Sequence, residues 1–135
     1  MLLSFVIPSY NDFRILETIK SIKKIEAPKD KIEIIVQDGG SKKDLLNKIK
    51  KVIGPNDKLF VENDYGIFDG INRGLKNSSG DMIATLGTDD RVFNLNYSRL
   101  LSKYLMGYNF IQYDIHYTDS DWNPIRFWKA RKISF

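Results

Sequence analysis

Cysteine is absent from the 135-residue chain, which excludes disulfide bonds and thiolate metal sites and is compatible with a reducing compartment. No apolar run approaches the ~20 residues that a transmembrane helix needs. The apolar amino terminus ends at Pro8 and has no basic segment before it, so it is too short for a secretory signal. These absences predict a cytoplasmic protein.

A glycine-rich dinucleotide fingerprint is also missing. The first predicted strand leads into "PSYND" and not into a Gly-x-Gly-x-x-Gly turn, which disfavours a dinucleotide-dependent oxidoreductase. The single histidine, His116, lies in an alternating segment, a pattern more typical of a packed or surface residue than of a metal ligand.

The charge that is present is mainly basic, with a net value of +4. The lysines concentrate in the amino-terminal half, and they have two interpretations. They are either the solvated surface of two helices or a face that attracts anionic lipid or phosphate. Nucleic acid is disfavoured as a partner because no aromatic residues interleave with the lysines. The lysines concerned are Lys20, Lys23, Lys24, Lys29, Lys31, Lys42, Lys43, Lys48, Lys50 and Lys51.

Apolar patterning alternates between strands and helices along the chain. Strands are predicted at 2–8, 31–38, 58–63, 81–87 and 109–119, with helices at 10–25, 41–52 and 96–105 and a short helix within 65–80. Asn11 or Asp12 is a candidate cap for the first helix, and Ser41 with Asp44 resembles a capping box for the second. This alternation predicts one α/β domain with a mainly parallel sheet.

Polar motifs follow each of the first four predicted strands. They read "PSYN", "DGGS", "ENDYG" and "GTDD" in chain order. Because parallel strands end at the same edge of a sheet, these motifs are expected to lie together, where open α/β sheets bind their ligands.

Two adjacent acids, Asp89 and Asp90, end the fourth predicted strand. They could hold Mg²⁺ or Mn²⁺, which prefer oxygen ligands and are commonly bound by one or two carboxylates together with phosphates. Aspartate is also frequent in turns and helix caps, so the pair alone leaves both interpretations open.

Asp38 and Arg73 have similar alternatives. Asp38, followed by two glycines, could contact a nucleobase or a ribose, or it could simply form an Asp-Gly turn. Arg73 could pair with a diphosphate or be a surface arginine. The nearby glycines Gly66, Gly70 and Gly74 weaken a helix by up to about 1 kcal/mol each, which indicates close packing or close ligand approach.

Taken in order, "FVIPSYND", "IIVQDGGS", "ENDYGIFDGINRG" and "SSGDMIATLGTDD" resemble glycosyltransferase family 2. The resemblance covers nearly the whole chain and is strongest from Phe5 to Asp90. It implies a GT-A fold, a Rossmann-like αβα sandwich with a mainly parallel central sheet. Gly87-Thr88, Gly70 and Phe68 depart mildly from residues common in the family.

The resemblance assigns site residues by position. Pro8, Ser9, Tyr10 and Asn11 match the loop that cradles the nucleotide, and Asp38 matches the acid that contacts the base. A nucleotide-sugar segment is matched by Glu62, Asp64, Gly66, Asp69, Asn72 and Arg73. Asp89 matches the acid that faces the ribose or sugar, and Asp90 matches the acid that binds Mn²⁺ or Mg²⁺, with Asp89 as a second candidate ligand.

The implied function is inverting transfer of a sugar from a nucleotide-diphosphate sugar, most simply a UDP-sugar, to a glycan or lipid-linked acceptor in surface polysaccharide biosynthesis. That function places the protein in the cytoplasm, with peripheral association at the inner face of the membrane as an option. Family members usually extend further, so residues 1–135 are interpreted as one donor-binding domain that lacks the acceptor-binding part.

The catalytic base is therefore expected beyond Phe135. Asp114, Asp119 and Asp121 match structural parts of the family and are interpreted as turn or surface acids. The alternative function is a nucleotide-binding module or truncated subunit without catalysis of its own.

Overall fold

The computed structural model describes residues 1–131. The four residues 132–135, which complete the predicted 1–135 domain, lie outside the described part. The elements in chain order are β1 (Leu3–Ser9), α1 (Ile15–Lys23), β2 (Ile32–Asp38), α2 (Lys43–Val52), β3 (Lys58–Val61), α3 (Ile67–Asn77), β4 (Met82–Thr85), α4 (Tyr97–Leu105), β5 (Ile115–Thr118) and β6 (Pro124–Trp128).

The first four strands form one parallel sheet in the order β3-β2-β1-β4. The β-branched runs of β1 and β2 are buried on both sides, as expected for parallel strands covered by helices. The predicted parallel α/β sheet is confirmed. The chain moves outward from β1 to β3 and then returns to the other side of β1 for β4, so the strand order reverses between β1 and β4.

One face of the sheet packs on α1 and α2. Phe5 and Ile7 of β1 share a buried cluster with Ile19 of α1 and Leu45 of α2, and the cluster also includes Leu100 of α4. Helical spacing places the buried residues of α1 and α2 on one stripe, which is why these segments form amphipathic helices. Truncating a residue such as Ile19 to alanine is expected to destabilise the fold by roughly 2–5 kcal/mol.

The other face of the sheet packs on α3, completing an αβα arrangement. Gly74 lies so close to β1 that a Cβ atom there would overlap Cγ1 of Val6. At Gly70 a Cβ atom would be 3.1 Å from Oδ2 of Asp64 and in ordinary contact with Cβ of Pro8, at 3.4 Å. Close packing on the sheet therefore explains Gly74, whose cost to helix stability is offset by the approach of the helix to the sheet.

The starts of the helices agree only in part with the sequence predictions. Asn96 caps α4 as its side chain accepts the N–H of Arg99 at 2.8 Å. The predicted capping box at Ser41 is wrong, because α2 has Lys42 as its N-cap residue with no side-chain cap bond, and the Ser41 hydroxyl binds Asp38 instead. The cap predicted for the first helix at Asn11 or Asp12 is confirmed only in part: α1 begins at Ile15 with Arg14 at its cap position, and Oδ1 of Asp12 accepts the backbone N–H of Arg14 at 3.0 Å in the turn that leads into the helix.

β5 and β6 form a separate antiparallel hairpin. A turn lies between them, in which Asp119 accepts the N–H groups of Asp121 and Asn123, both at 2.9 Å. The strand is much shorter than the predicted 109–119, because the segment before Ile115 is irregular. Apolar side chains of the hairpin stay largely exposed, which shows that alternation alone does not establish packing.

Candidate functional site

The motifs predicted at the strand ends do meet at one edge of the sheet. Three segments of this edge are the β1 loop (residues 10–14), the DGGS turn (residues 38–41) and the β4 loop (residues 86–91). The β1 and β4 loops flank the reversal of strand order, the position at which open α/β sheets form a crevice.

The β1 loop is tied to the DGGS turn by its asparagine. The backbone N–H of Asn11 donates to Oγ of Ser41 at 2.7 Å, and Oδ1 of Asn11 accepts the N–H of Lys42 at 2.9 Å. Asn11 has a φ of 49°, a left-handed conformation that asparagine tolerates well. Tyr10 is 65% exposed, so its ring is accessible to a ligand.

Asp38 is buried at the end of β2, and both its oxygens serve the DGGS turn. Oδ1 accepts the N–H groups of Gly40 and Ser41 at 2.9 and 2.6 Å, and Oδ2 accepts the Ser41 hydroxyl at 2.6 Å. A carboxylate offers about four acceptor positions, so one remains for a further donor. The geometry thus establishes the turn role of Asp38, while contact with a nucleobase stays a prediction.

The segment after β3 surrounds Arg73 with acids. Nη1 of Arg73 lies 3.1 Å from Oε2 of Glu62, and its Nε lies 3.0 Å from Oδ2 of Asp69. The hydrogen bond from Arg73 to Glu62 and the charge of Asp69 raise the pKa of Arg73 above its ordinary value. Arg73 is therefore engaged by two carboxylates, and pairing with a diphosphate would require it to exchange partners.

Asp64, in the segment after β3, lies against the DGGS turn. Its Oδ1 accepts the N–H of Gly66 at 3.0 Å. A Cβ atom on Gly39 would lie only 2.9 Å from Oδ2 of Asp64, so the glycine is what permits this close approach. Asn72 is exposed on α3 near these residues in sequence.

The β4 loop presents two adjacent carboxylates with different partners. Oδ2 of Asp90 accepts the N–H of Gly87 at 2.8 Å, which closes a turn. Oδ2 of Asp89 lies 3.6 Å from Nη1 of Arg14. Both acids are exposed, so each retains an oxygen accessible from solvent.

Asp12 joins the β1 loop to the β4 loop, a role that sequence analysis missed. Its carboxylate accepts Nε and Nη2 of Arg14 at 3.0 and 2.7 Å, and the Thr88 hydroxyl at 2.6 Å. The hydrogen bond from Arg14, aided by that from Thr88, holds the pKa of Asp12 well below its usual range despite partial burial. An acid two residues before an arginine was the available signal, but its partner Thr88 is 76 positions away.

The chemistry of the β4 loop fits a hard divalent cation held only in part by protein. Among residues 1–131 no group of three or more acidic, histidine or cysteine side chains gathers at one point. Two exposed carboxylates are nevertheless a common protein contribution to Mg²⁺ or Mn²⁺ sites, in which ligand phosphates and water complete the octahedron.

Known proteins resemble the chain over most of its length. A family model described as "Glycosyl transferase family 2" matches residues 4–133. The chain is 32% identical over 111 residues to the GalNAc(5)-diNAcBac-PP-undecaprenol beta-1,3-glucosyltransferase of Campylobacter jejuni, covering 78% of this chain and 35% of that protein. It is 37% identical over 112 residues to an uncharacterized glycosyltransferase of Rickettsia bellii, covering 80% of this chain and 16% of that one.

Solved structures share the fold. S. aureus TarS 1-349 in complex with UDP-GlcNAc matches with a TM-score of 0.63 and 26% identity over 78% of this chain and 30% of that one. The mannosyltransferase PcManGT of Pyrobaculum calidifontis, in complex with GDP-Man and Mn²⁺, matches with a TM-score of 0.58 and 19% identity over 66% of this chain and 28% of that one, a likeness of fold alone.

The chain thus spans about a third or less of these proteins. The structural likeness confirms the predicted GT-A fold. Since the family model covers nearly all of the sequence, the chain belongs to glycosyl transferase family 2.

Proposed function

We propose that this domain binds a nucleotide-diphosphate sugar, most simply a UDP-sugar, for transfer of the sugar to an acceptor hydroxyl. The observation that carries the proposal is the pair of exposed carboxylates, Asp89 and Asp90, beside the β1 loop at the reversal of strand order. The TarS structure that resembles this chain was solved with UDP-GlcNAc, which supports the choice of donor class.

Donor binding is proposed for the residues gathered at the carboxyl ends of the strands. The β1 loop would hold the nucleotide against the exposed ring of Tyr10, and the remaining acceptor position of Asp38 would receive a base or ribose donor. The proposed set is Pro8, Ser9, Tyr10, Asn11, Asp38, Glu62, Asp64, Gly66, Asp69, Asn72, Arg73 and Asp89. In residues 1–131 the buried Ser9 hydroxyl has no hydrogen-bond partner, which leaves it free for a ligand or a water.

A divalent cation, Mn²⁺ or Mg²⁺, is proposed at Asp90, with Asp89 as the second candidate ligand. Such a cation would offset negative charge on the departing diphosphate. Arg73 would then turn from Glu62 and Asp69 toward the same phosphates, since an arginine fork pairs as well with phosphate as with carboxylate. The Pyrobaculum protein of similar fold, solved with Mn²⁺, supports the choice of metal.

Inversion at the anomeric carbon requires a base that reaches the acceptor hydroxyl within about 3 Å or through one water. Among the acids near the hairpin, Asp119 is used by the turn, Asp114 accepts the N–H of Ala130 at 2.8 Å, and Asp121 lies exposed in the turn between β5 and β6. We therefore place the catalytic base outside these 135 residues. The second candidate function, a nucleotide-binding module without catalysis, is favoured by the same observation.

The acceptor is proposed to be a glycan, in a lipid-linked form, in surface polysaccharide biosynthesis. The Campylobacter relative is named for an undecaprenol-linked acceptor. Charge supports a site at the inner face of the membrane: residues 1–58 carry twelve basic and eight acidic side chains, against nine of each in residues 59–135. Within the described residues, no helix has the length and hydropathy to cross a bilayer.

The exposed lysines of α2 would make that peripheral contact, since five lysines and one acid occupy residues 42–51. Vesicle sedimentation tests it. Lys50→Glu with Lys51→Glu should abolish binding to vesicles that contain anionic lipid, because each lysine near such a surface contributes about 1 kcal/mol. Equal sedimentation with purely zwitterionic vesicles would contradict the electrostatic contact.

Thermal shift with a panel of nucleotide sugars, with and without Mn²⁺, tests donor binding. A ligand at a hundredfold its Kd should stabilise the chain by about 2.7 kcal/mol. Absence of a shift with every nucleotide sugar would refute the proposal. A transfer assay on this chain and on a version extended with the following natural sequence separates the two functions: transfer by the extended version alone supports the enzyme, and transfer by neither supports the binding module.

A further inference from the structure

The two adjacent carboxylates of the β4 loop are not equivalent. Asp89 has a cation beside it, as its Oδ2 is 3.6 Å from Nη1 of Arg14, whereas Asp90 has only the backbone N–H of Gly87 at 2.8 Å among residues 1–131. A Cβ atom on Gly87 would lie 2.9 Å from Oδ1 of Asp89 and 3.0 Å from Oδ2 of Asp90, so the glycine leaves room for both acids on one side of the loop. The arginine offsets the charge of one carboxylate of the pair.

Hydrogen bonds to Asp12 hold the guanidinium of Arg14 in place. Its Nε and Nη2 form a fork on the two oxygens of Asp12, which leaves Nη1 directed toward Asp89. Asp12 in turn accepts the Thr88 hydroxyl at 2.6 Å, and the Thr88 carbonyl accepts the Thr18 hydroxyl at 2.8 Å. A guanidinium held by two parallel bonds is pre-organised and does not lose its proton, so the cation beside Asp89 is permanent.

We infer that Arg14, oriented by Asp12, is a positioning residue that withholds Asp89 from metal coordination and leaves Asp90 as the carboxylate that binds the cation. This inference rests on the proposed function. Arg14 and a divalent cation compete for Oδ2 of Asp89, and the tethered arginine is already in place. Asp89 then keeps its other oxygen for a hydroxyl or N–H donor of the nucleotide sugar.

An exposed ion pair often contributes little, since solvent screens it and both side chains lose freedom. The side chains of Arg14 and Asp89 are 67% and 59% exposed, so fold stability is a poor measure of this contact. Metal affinity is the informative quantity, because only the proposed role makes the contribution of Asp89 to metal binding depend on Arg14.

The test is a double-mutant cycle on the full 135-residue chain with UDP at fixed concentration, in which free Mn²⁺ is followed by its electron paramagnetic resonance signal. Arg14→Met should tighten Mn²⁺ binding by roughly threefold to tenfold, the effect of removing one nearby unit charge in a largely solvated site. Asp89→Asn should cost more Mn²⁺ affinity in the Arg14→Met background than in the parental chain, because only without the arginine is Asp89 available to the cation.

Arg99→Met is the matched control. It removes the same charge from α4, whose Tyr97 hydroxyl binds the Met1 carbonyl at the other end of β1, so it should leave Mn²⁺ affinity unchanged. Equal tightening by Arg99→Met would indicate a general charge effect and overturn the inference.

Two further results would overturn it. The first is an Arg14→Met affinity equal to that of the parent, and the second is the same cost of Asp89→Asn in both backgrounds. Either would leave the proposed function standing. Failure of the parental chain to bind Mn²⁺ in the presence of UDP would remove both the inference and the metal site.

Discussion

At the amino-terminal ends of the strands, Glu33 is buried and the side chain of Asp57 is only 7% exposed, and both are hydrogen-bonded. At the carboxyl ends, Asp89 and Asp90 are exposed and keep oxygens accessible from solvent. Asp57 accepts two backbone N–H groups, those of Ile34 and Gly54, and pairs with a lysine. At one end of the sheet the acids thus bind other parts of the chain, and at the other end they are accessible to a ligand from solvent.

Both oxygens of Glu33 have hydrogen-bond or ion-pair partners. Its Oε1 accepts the Ser4 hydroxyl at 2.6 Å and the N–H of Ser79 at 2.5 Å, and its Oε2 lies 3.5 Å from Nζ of Lys58. Burial alone would raise the pKa of Glu33, but these hydrogen bonds and the lysine charge outweigh it and leave the pKa below its ordinary value. An acid at a strand end is therefore a ligand candidate only when it keeps at least one acceptor position that the protein does not use.

The largest effect is expected at the exposed end. Asp90→Asn keeps the shape of the side chain and removes its charge, so Mn²⁺-dependent UDP binding should weaken by about 100-fold or more. This loss is larger than that expected for a residue that only orients a metal ligand, about 10–100-fold. Isothermal titration measures it, with Asp121→Asn on the hairpin as a matched control. Mn²⁺-dependent binding at parental strength would remove Asp90 from the metal site.

At the buried end the expected effect is on stability. Glu33→Ala leaves Ser4, Lys58 and the Ser79 N–H without their partner, so urea unfolding should show a loss of about 3 kcal/mol. Glu26→Ala, at an exposed glutamate, is the control and should change the free energy of unfolding by less than about 0.5 kcal/mol. UDP affinity should stay at the parental value in both variants, and a parallel fall in affinity would break the contrast between the two ends.

Asp38 is also a buried, hydrogen-bonded acid, but it lies at the carboxyl end of its strand, where donor binding is proposed. Asp38→Asn should weaken UDP binding by roughly 1–3 kcal/mol if the free acceptor position meets the base or ribose. Ser41→Ala removes the hydroxyl that donates to Asp38 and accepts the Asn11 N–H, and it leaves the carboxylate intact, so it measures the supporting role alone. The same loss of UDP affinity in both variants would show that Asp38 acts through the turn alone.

The smallest effect concerns pH and Asp12. Its pKa is depressed in the folded chain, so its stabilisation is present above its unfolded value of about 4 and is lost as the pH falls through the folded value. The difference in unfolding free energy between parent and Asp12→Asn should therefore be constant near neutral pH and shrink below about pH 4. Arg14→Met removes the hydrogen bond that does most to lower the pKa of Asp12, so in that background the effect of Asp12→Asn should vary less with pH. A difference in unfolding free energy that grows as the pH falls would contradict the depressed pKa of Asp12.

Local sequence pattern predicted the buried strands and the start of one helix. The apolar runs around Val6 and Ile35 identified buried parallel strands, and Asn96 marked the start of α4. Ser41 was misjudged because its hydroxyl had two local uses, and the tertiary fold selected the bond to Asp38 over the helix cap.

Two of the contacts that the sequence did not reveal, those of Asp12 with Thr88 and of Arg14 with Asp89, join residues that are far apart in the chain. The bond between Thr88 and Asp12 exists only because β4 pairs beside β1, a neighbour relation that no local pattern specifies. Family resemblance identified the motifs at the sheet edge, but it did not show that Arg73 is held by two acids or that Arg14 stands beside Asp89.

The strand order also sets when the edge of the sheet can be completed during synthesis. Leu3 pairs with Met82, so one side of β1 must wait for 79 further residues, which take roughly 4–16 s at typical translation rates. β2 can protect the other side much earlier, through pairs such as Leu3 with Ile32. Limited proteolysis of ribosome-bound chains of increasing length should therefore show two steps of protection for β1, and a single late step would argue against this order. A nascent chain would carry the β1 loop long before it carried Asp89 and Asp90 of the β4 loop.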